Sequence, residues 1–122
     1  MNKNKFRFRN PQTKEFITTY YYNGSLVDGF FEPKAYLEPQ QFLGIYDKNM
    51  KEIYEGDVVK GSYGLEGLEI VGDVRYSYDL CAYVVDYNYE ISNIAVDTLE
   101  VVGHIDDYTW DESGELVERV RE

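Results

Sequence analysis

Few side chains in this sequence could do chemistry, and the sharpest spacing among them is Glu55-Gly56-Asp57. Two carboxylates one residue apart suit general acid–base work or the binding of a hard cation. The pattern is equally typical of a tight bend, because Gly56 reaches backbone conformations closed to other residues and Asp57 can accept backbone N–H bonds. We favour the bend, since no histidine and no further ligand cluster accompanies the two acids.

Cys81 could act as a nucleophile and His104 as a catalytic base, and each is the only residue of its type in the sequence. Cys81 lies between Leu80 and Ala82 in an apolar run, which indicates buried packing. His104 lies at the end of a predicted strand, which favours an exposed or hydrogen-bonded structural role. One Cys and one His also exclude a disulfide, a Cys-based zinc cluster and a His-rich metal site within these residues. We therefore predict no catalytic residue, no metal site and no cofactor.

The segment 61–67, GSYGLEG, superficially matches a phosphate-binding loop. It lacks the Lys-Ser or Lys-Thr ending, and no helical pattern follows that would bring a positive N-terminus to an anion. Glu66 and Glu69 would also repel a phosphate. We interpret the segment as a hairpin loop.

Charge is distributed unevenly along the chain, which has 12 basic and 23 acidic residues and a formal net charge of −11. Residues 1–14 carry five basic groups and no acid, so the rest of the chain holds a net charge of −16. Within this basic arm, Lys5, Arg7 and Arg9 alternate with two phenylalanines, which places cations and rings on opposite faces of a strand. We expect a solvated edge strand, or an arm that docks on an acidic surface of the same or a neighbouring subunit, and the three cations are a candidate interaction surface.

Such an arm also suits a strand that follows the phosphates of a nucleic acid. The strongly acidic remainder of the chain would repel a polyanion, however, and no extended basic face accompanies the arm. We therefore expect no nucleic-acid partner.

Aromatic residues make up 16% of the chain and include 13 Tyr, which is typical of strands and binding surfaces. Alternate positions of the segment 83–89 put Tyr, Val, Tyr and Tyr on one strand face, and we predict that this face points to the core. The side chains of Tyr20, Tyr21 and Tyr22 cannot all point inward. We therefore expect at least one of these phenols at the surface, where it would suit the binding of a protein.

Short strands separated by turn residues account for most of the sequence. The predicted strands are 5–9, 15–22, 41–46, 52–60, 69–78 and 81–89, with one or two more in 94–105. The first two strands form a hairpin around the turn 10–14. In the turn 47–51 we expect Asn49, rather than Met50, to adopt the left-handed conformation. The residues 115–122 suit a helical turn or a final strand, and the pattern does not decide between them.

This strand spacing is typical of an all-β protein, a small barrel or sandwich. We predict an N-terminal hairpin and connecting arm in 1–40, a barrel core in 41–105 and an acidic C-terminal segment in 106–122. No apolar run approaches the ~18–20 residues of a membrane span. The first residues also lack the apolar core of a secretory signal. We therefore expect a soluble cytoplasmic protein with no membrane partner.

The stretch 41–60, QFLGIYDKNMKEIYEGDVVK, resembles the signature of the YopX family of phage and prophage proteins, Q-[YF]-T-G-L-x-D-K-N-G-K-x-I-[YF]-E-G-D-I-V. The opening at 5–7 is similar to the family's usual start, 72–74 to its central G-x-V strand, and LEVVGHI at 99–105 to its closing V-E-V-I-G-N-I. The residues that carry the family motif, for which we predict a structural role, are Gly44, Asp47, Lys48, Ile53, Tyr54, Glu55, Gly56, Asp57, Val58 and Gly103.

The sequence departs from the family pattern at four positions. Leu43 replaces the usual Thr, Met50 the turn Gly and His104 an Asn, and Arg9 stands near an expected Trp. The resemblance implies an SH3-type β-barrel and a phage or prophage origin in a bacterial cytoplasm. It implies no catalytic residue, because the family is functionally uncharacterised.

Taken together, these features favour a non-enzymatic accessory protein that acts by binding a protein partner, an expectation that rests on analogy with other small barrels. One alternative is that the acidic remainder of the chain, residues 15–122, mimics the charge of DNA and occupies the basic groove of a host nucleic-acid-binding protein. Another is that the basic arm docks on a neighbouring copy, which would make a self-assembling structural homo-oligomer. A small enzyme is the least supported reading, because no site for it is found.

Overall fold

A computed structural model describes residues 5–22, 25–26 and 39–119, with side chains for 5–18 and 39–119. These residues form β-strands and two 3-10 turns, at 91–93 and 105–107, and no α-helix occurs among them, so the predicted all-β class is confirmed. The strands are β1 Lys5–Arg9, β2 Phe16–Tyr22, β3 Ser25–Leu26, β4 Gln40–Tyr46, β5 Glu52–Tyr54, β6 Asp57–Tyr63, β7 Leu68–Ser77, β8 Ala82–Val85, β9 Tyr89–Glu90, β10 Glu100–His104, β11 Tyr108–Trp110 and β12 Leu116–Glu118. In this described part of the chain, no helix has the length and apolar character that a membrane crossing requires.

The first sheet has the strand order β3-β2-β1-β4-β5, with β1 in the middle. β1 pairs antiparallel with β2, Arg9 opposite Phe16, and on its other side with β4, Phe6 opposite Gln41. The expectation of a solvated edge strand is therefore wrong, because β1 has a hydrogen-bonded neighbour on each side. The domain boundary predicted at residue 40 stays a prediction, and the β1–β4 pairing crosses it.

The second sheet has the order β10-β6-β7-β8-β9 and supplies four of the eight side chains of the core cluster, and the segment 91–99 supplies three more. The first sheet contributes Ile53 of β5, so the core lies between this strand and the inner face of a curled, half-barrel sheet. The buried apolar side chains of this cluster are Ile53, Val59, Ile70, Val74, Val85, Ile91, Ile94 and Leu99. Their burial removes apolar surface from water, which is the main term that stabilises such a fold.

The predicted strand 81–89 is interrupted, because β8 ends at Val85 and a turn leads into β9. Asp86 and Tyr87 have φ values of 53° and 67°, and two successive left-handed residues match the twist of a tight hairpin. Tyr83 and Tyr89 pack against the core as predicted. The core-facing prediction for Tyr87 is wrong, since the turn leaves this ring 52% exposed.

Two other turns also differ from expectation. Met50, not Asn49, takes the left-handed conformation, with φ 64°, because the Asp47 carboxylate holds the turn by accepting the N–H groups of Asn49 and Lys51 at 2.8 and 2.9 Å. The predicted burial of Cys81 is wrong as well. This residue is exposed in the β7–β8 turn with φ 52°.

The remaining segments settle the choices that the sequence left open. The predicted loop 61–67 is wrong in its first half, because residues 61–63 belong to β6 and pair with β7; the turn of the β6–β7 hairpin is 64–67, between Tyr63 and Leu68. The segment 94–105 contains one named strand, β10, and the C-terminal alternative resolves to a strand, because β12 pairs with β11.

Candidate functional site

The bend at Gly56 joins three parts of the chain. Gly56 has φ +86°, and a Cβ atom there would collide with the side chain of Gln40. Asp57 closes the bend by accepting the Tyr54 N–H on Oδ2 at 2.8 Å, and Gly56 N donates to Val74 O at 2.9 Å. One oxygen of the Asp57 carboxylate therefore holds the bend through a backbone N–H. Within the described ranges, no group of three or more His, Cys, Asp or Glu side chains is arranged to hold a metal ion.

Arg7 is the side-chain partner of Asp57. Its Nη2 lies 2.7 Å from Asp57 Oδ1, its Nε donates to Gln40 Oε1 at 2.9 Å, and its guanidinium carbon lies 4.3 and 4.6 Å from the ring centres of Phe16 and Tyr54. Burial lowers the pKa of Arg7 and raises the pKa of Asp57, and the ion pair opposes both shifts. Arg7 is only 6% exposed, so its assignment to an interaction surface is wrong.

The other cations of the basic arm also find acids of their own chain. Arg9 is 4% exposed and lies 2.8 Å from Asp107 Oδ2, Lys14 pairs with the same carboxylate, and Lys5 pairs with Glu52. Burial acts to raise the pKa of Asp107, but hydrogen bonds from Lys14 and Arg9 lower it to about 2. The arm therefore docks within its own chain, and neither Lys5 nor Arg9 forms the exposed cationic surface that was expected.

His104 is buried against the same cluster, and its hydrogen bonds define its tautomer. Asp106 N donates to Nδ1 at 3.0 Å, so Nδ1 is an acceptor and Nε2 carries the proton, 3.1 Å from Gln40 Oε1. Burial and then the charges of Arg9 and Arg7 lower the pKa of His104 to about 3. Both ring nitrogens are engaged, which fits the hydrogen-bonded structural role predicted for this residue.

These side chains surround an open cavity of about 390 Å³, which we call the cation pocket. It lies between β1, β2, the β5–β6 bend and the end of β10. The lining residues are Arg7, Arg9, Phe16, Thr18, Lys51, Glu52, Tyr54, Asp57, Gly103, His104 and Asp107.

The other motif residues anchor turns and strand contacts. Asp47 Oδ2 accepts Val101 N at 2.9 Å, and Lys48 lies 3.2 Å from Glu100. A Cβ at Gly103 would approach the ring of Tyr108 to 2.7 Å. The backbone at Gly44 has φ 83°, and Ile53 and Val58 are fully buried, while Glu55 Oε1 accepts Gln41 N at 2.9 Å.

A second candidate site is the aromatic surface, which the β7–β8 hairpin, the turn after it and the end of β11 form with Arg75, Tyr76, Tyr78, Tyr87 and Trp110. Tyr78 is 85% exposed, and its ring packs edge-on against Tyr76 at 5.1 Å. The guanidinium carbon of Arg75 lies 3.8 Å from the centre of the Tyr87 ring, which in turn lies 6.5 Å from Trp110. A surface pocket of about 340 Å³ between Arg75, Tyr76, Tyr78 and Tyr87 joins the two groups of rings.

Tyr83 supports this surface from below. Its ring packs edge-on against Tyr76 at 5.2 Å, and its hydroxyl donates to Gln41 Oε1 at 3.3 Å. Burial, then the charges of Glu55 and the neighbouring tyrosines, raises the pKa of Tyr83 to about 12. The neutral phenol therefore packs against Tyr76, one of the rings of the aromatic surface.

An apolar groove of about 430 Å³ lies elsewhere, between the β4–β5 turn and the segment 91–99. Its rim includes Met50 and Val96, which are 76% and 71% exposed. It offers apolar contact without the clustered rings and guanidinium of the aromatic surface.

Sequence reasoning missed the main residues of the aromatic surface. Tyr76 and Tyr78 follow the strand alternation of β7 and carried a detectable signal, whereas no local pattern indicates that Trp110 comes close to Tyr87. The backbone of Tyr20, Tyr21 and Tyr22 lies in β2, and their side chains lie outside the described residues, so the exposed phenol predicted there stays a prediction.

The fold and these sites define a small all-β protein in which the motif residues anchor turns and buried ion pairs. The sequence profile of the YopX protein family matches residues 1–108, so the chain belongs to the YopX family. A search of curated proteins finds no match.

Proposed function

We propose that this protein is a non-enzymatic accessory protein that binds a protein partner through the aromatic surface. The proposal includes an SH3-type arrangement of the strands and a phage or prophage origin, with action in the cytoplasm of the bacterial host. The observation that carries it is the exposed cluster of Arg75, Tyr76, Tyr78, Tyr87 and Trp110. Arg, Tyr and Trp are the residue types most enriched where protein interfaces gain their affinity.

The packing of these rings supports the proposal further. Edge-on contacts among Tyr76, Tyr78 and Tyr83 hold the rings before a partner arrives, which lowers the entropy lost on binding. Tyr78 nevertheless keeps most of its surface available, so a partner can still bury it.

The non-enzymatic part rests on how the reactive groups are engaged. Both nitrogens of His104 have hydrogen-bond partners. The Asp57 carboxylate accepts hydrogen bonds from Arg7 and from the Tyr54 N–H. A general base needs a lone pair that can reach a substrate proton.

The alternatives have weaker support. Asp47, Asp57 and Asp73 are buried, which removes three carboxylates from any surface row that would imitate DNA phosphates. Arg7 and Arg9 pair within the chain, which removes the cations that a neighbouring copy would receive. Charge mimicry and self-assembly stay predictions.

A comparative capture experiment tests the proposal. Tagged full-length protein, Tyr78→Ser with Tyr87→Ser, and Leu65→Ser would be exposed to host lysate, and the captured proteins quantified by mass spectrometry. Leu65 is a matched control, because it is fully exposed in the 64–67 turn. We expect a partner that the wild type and Leu65→Ser capture equally and that the double variant loses by at least tenfold.

Other outcomes would redirect or reject the proposal. Loss of capture on Val96→Ser, but not in the double tyrosine variant, would move binding to the apolar groove. A partner that elutes at moderate salt from all variants alike would favour charge mimicry. Equal capture by all variants, insensitive to salt, would reject the aromatic surface as the binding site.

A further inference from the structure

The two buried arginines of the cation pocket use only part of their hydrogen-bonding capacity. A guanidinium has five N–H donors. Arg7 donates from Nε to Gln40 and from Nη2 to Asp57 and the Glu55 carbonyl. Within the described part of the chain, its Nη1 has no acceptor. Arg9 donates from Nη2 to Asp107, and its fully buried Nε has no acceptor among the same residues. A buried donor such as Arg9 Nε is costly to leave unpaired, so it favours an acceptor at this position.

Local charge is more favourable to an anion here than elsewhere on the chain. The pocket lining has three cations, Arg7, Arg9 and Lys51, against three carboxylates, Glu52, Asp57 and Asp107, and Lys5 and Lys14 pair with two of these carboxylates from outside the lining. The whole chain, by contrast, has 12 cations and 23 acids. The pocket therefore lacks the excess of negative charge that repels anions from the rest of the protein.

The walls of the pocket limit the shape of a ligand. Phe16 is 42% exposed and lies over both guanidinium groups, at 4.3 Å from Arg7 and 5.3 Å from Arg9. Tyr54 forms the opposite side of Arg7, and Thr18 adds a hydroxyl. The volume of about 390 Å³ lies in the range of small-molecule sites.

We propose that the cation pocket binds a small organic anion, whose carboxylate or phosphate accepts hydrogen bonds from Arg7 and Arg9 while its apolar part lies against Phe16. Carboxylates and phosphates accept two parallel bonds from the planar guanidinium, which gives arginine its preference for these groups. This site is separate from the aromatic surface, so its failure and the failure of protein binding can be told apart.

His104 provides the readout, because it is the only histidine of the chain and lines the pocket. The ring signals of His104 would be followed by NMR while full-length protein is titrated with inorganic phosphate, acetate or benzoate, with chloride keeping the ionic strength constant. We expect a saturable shift. Phosphate ahead of acetate would indicate a phosphate ligand, and benzoate ahead of both would indicate a carboxylate with a ring.

Arg9→Lys removes the fork of donors but keeps the charge beside Asp107, and we expect affinity for the anion to fall about tenfold or more. Arg119→Lys is the matched control, an arginine outside the pocket lining whose Nε donates to Tyr108 O, and it should bind the anion like the wild type. Phe16→Leu keeps both arginines and should weaken benzoate more than acetate, which provides a test if Arg9→Lys fails to fold. Shifts no larger than those caused by chloride, or equal affinity in wild type, folded Arg9→Lys and Phe16→Leu, would overturn the proposal.

Discussion

The cation pocket and the aromatic surface are built from the same kinds of side chain, used in opposite ways. In the pocket, Arg7 lies between two rings and is buried, so it needs the carboxylate of Asp57 to offset the loss of hydration. On the aromatic surface, Arg75 lies over Tyr87 with 39% of its side chain exposed, so water still solvates part of the charge. Stacking on rings and pairing with a buried aspartate are common to both, and the difference in exposure decides whether the guanidinium can also contact a partner.

Each region also contains a unique reporter. His104 lines the cation pocket, and Trp110 belongs to the aromatic surface. The two regions can therefore be followed separately in one sample.

The largest expected effect comes from breaking the buried ion pair. Arg7→Ala leaves Asp57 as an uncompensated buried charge and should lower the free energy of unfolding by about 3–5 kcal/mol. Urea unfolding followed by circular dichroism would measure it. Lys48→Ala is the matched change at a solvent-accessible ion pair, the one with Glu100, and should cost less than about 1 kcal/mol. Equal losses in the two variants would contradict the contrast between buried and exposed cations.

The pH dependence of stability should depend on His104. Its pKa of about 3 in the folded protein lies below the ordinary 6.5, so the unfolded chain takes up a proton first as the pH falls. The stabilisation is complete above pH 6.5 and is lost as the pH falls toward 3. Well inside that window the slope due to one proton is about 1.4 kcal/mol per pH unit.

His104→Asn, which restores the residue of the family pattern, should remove this slope. The difference between wild type and variant cancels groups that titrate alike in both, including Asp57, whose raised pKa acts in the opposite direction. Unfolding free energies at pH 4.5, 5.5 and 6.5 would measure it. Parallel curves for the two proteins would contradict the buried, neutral state of His104.

A smaller effect is expected at the β4–β5 turn. Met50 has φ 64° and is 76% exposed, so it bears the strain of a left-handed residue and packs little. Met50→Gly should stabilise the protein by about 0.5 kcal/mol, because relief of strain exceeds the added entropy of the unfolded chain. Asn49→Gly is the neighbouring control, and thermal unfolding compares the two. A gain in thermal stability in Asn49→Gly but not in Met50→Gly would indicate that Asn49, and not Met50, is the left-handed residue of the turn.

The smallest effect on stability is expected at the aromatic surface itself. Tyr78→Ala should change the free energy of unfolding by no more than about 0.5 kcal/mol, because its ring is 85% exposed. Urea unfolding would again measure this change. A loss comparable to that of Arg7→Ala would mean that Tyr78 serves the fold rather than a partner.

Local pattern predicted most of the strands and the bend at Gly56, since alternation and turn residues act over a few positions. It did not predict that β1 is an interior strand, because its pairing with β4 joins residues more than 30 positions apart. For the same reason it placed Arg7 and Arg9 at the surface, although both are buried and pair with aspartates that are distant in the sequence. The turn at Asp86 and Tyr87 was missed because no glycine marks it.

The central claim is that a protein partner contacts the aromatic surface, and photo-crosslinking tests it most directly. A photoreactive benzoylphenylalanine would replace Tyr78 in one variant and the fully exposed Leu65 in another, and both would be irradiated in the host cell. We predict a discrete adduct of higher mass from position 78 and none from position 65. The same adducts from both positions, or no adduct from position 78, would contradict the claim.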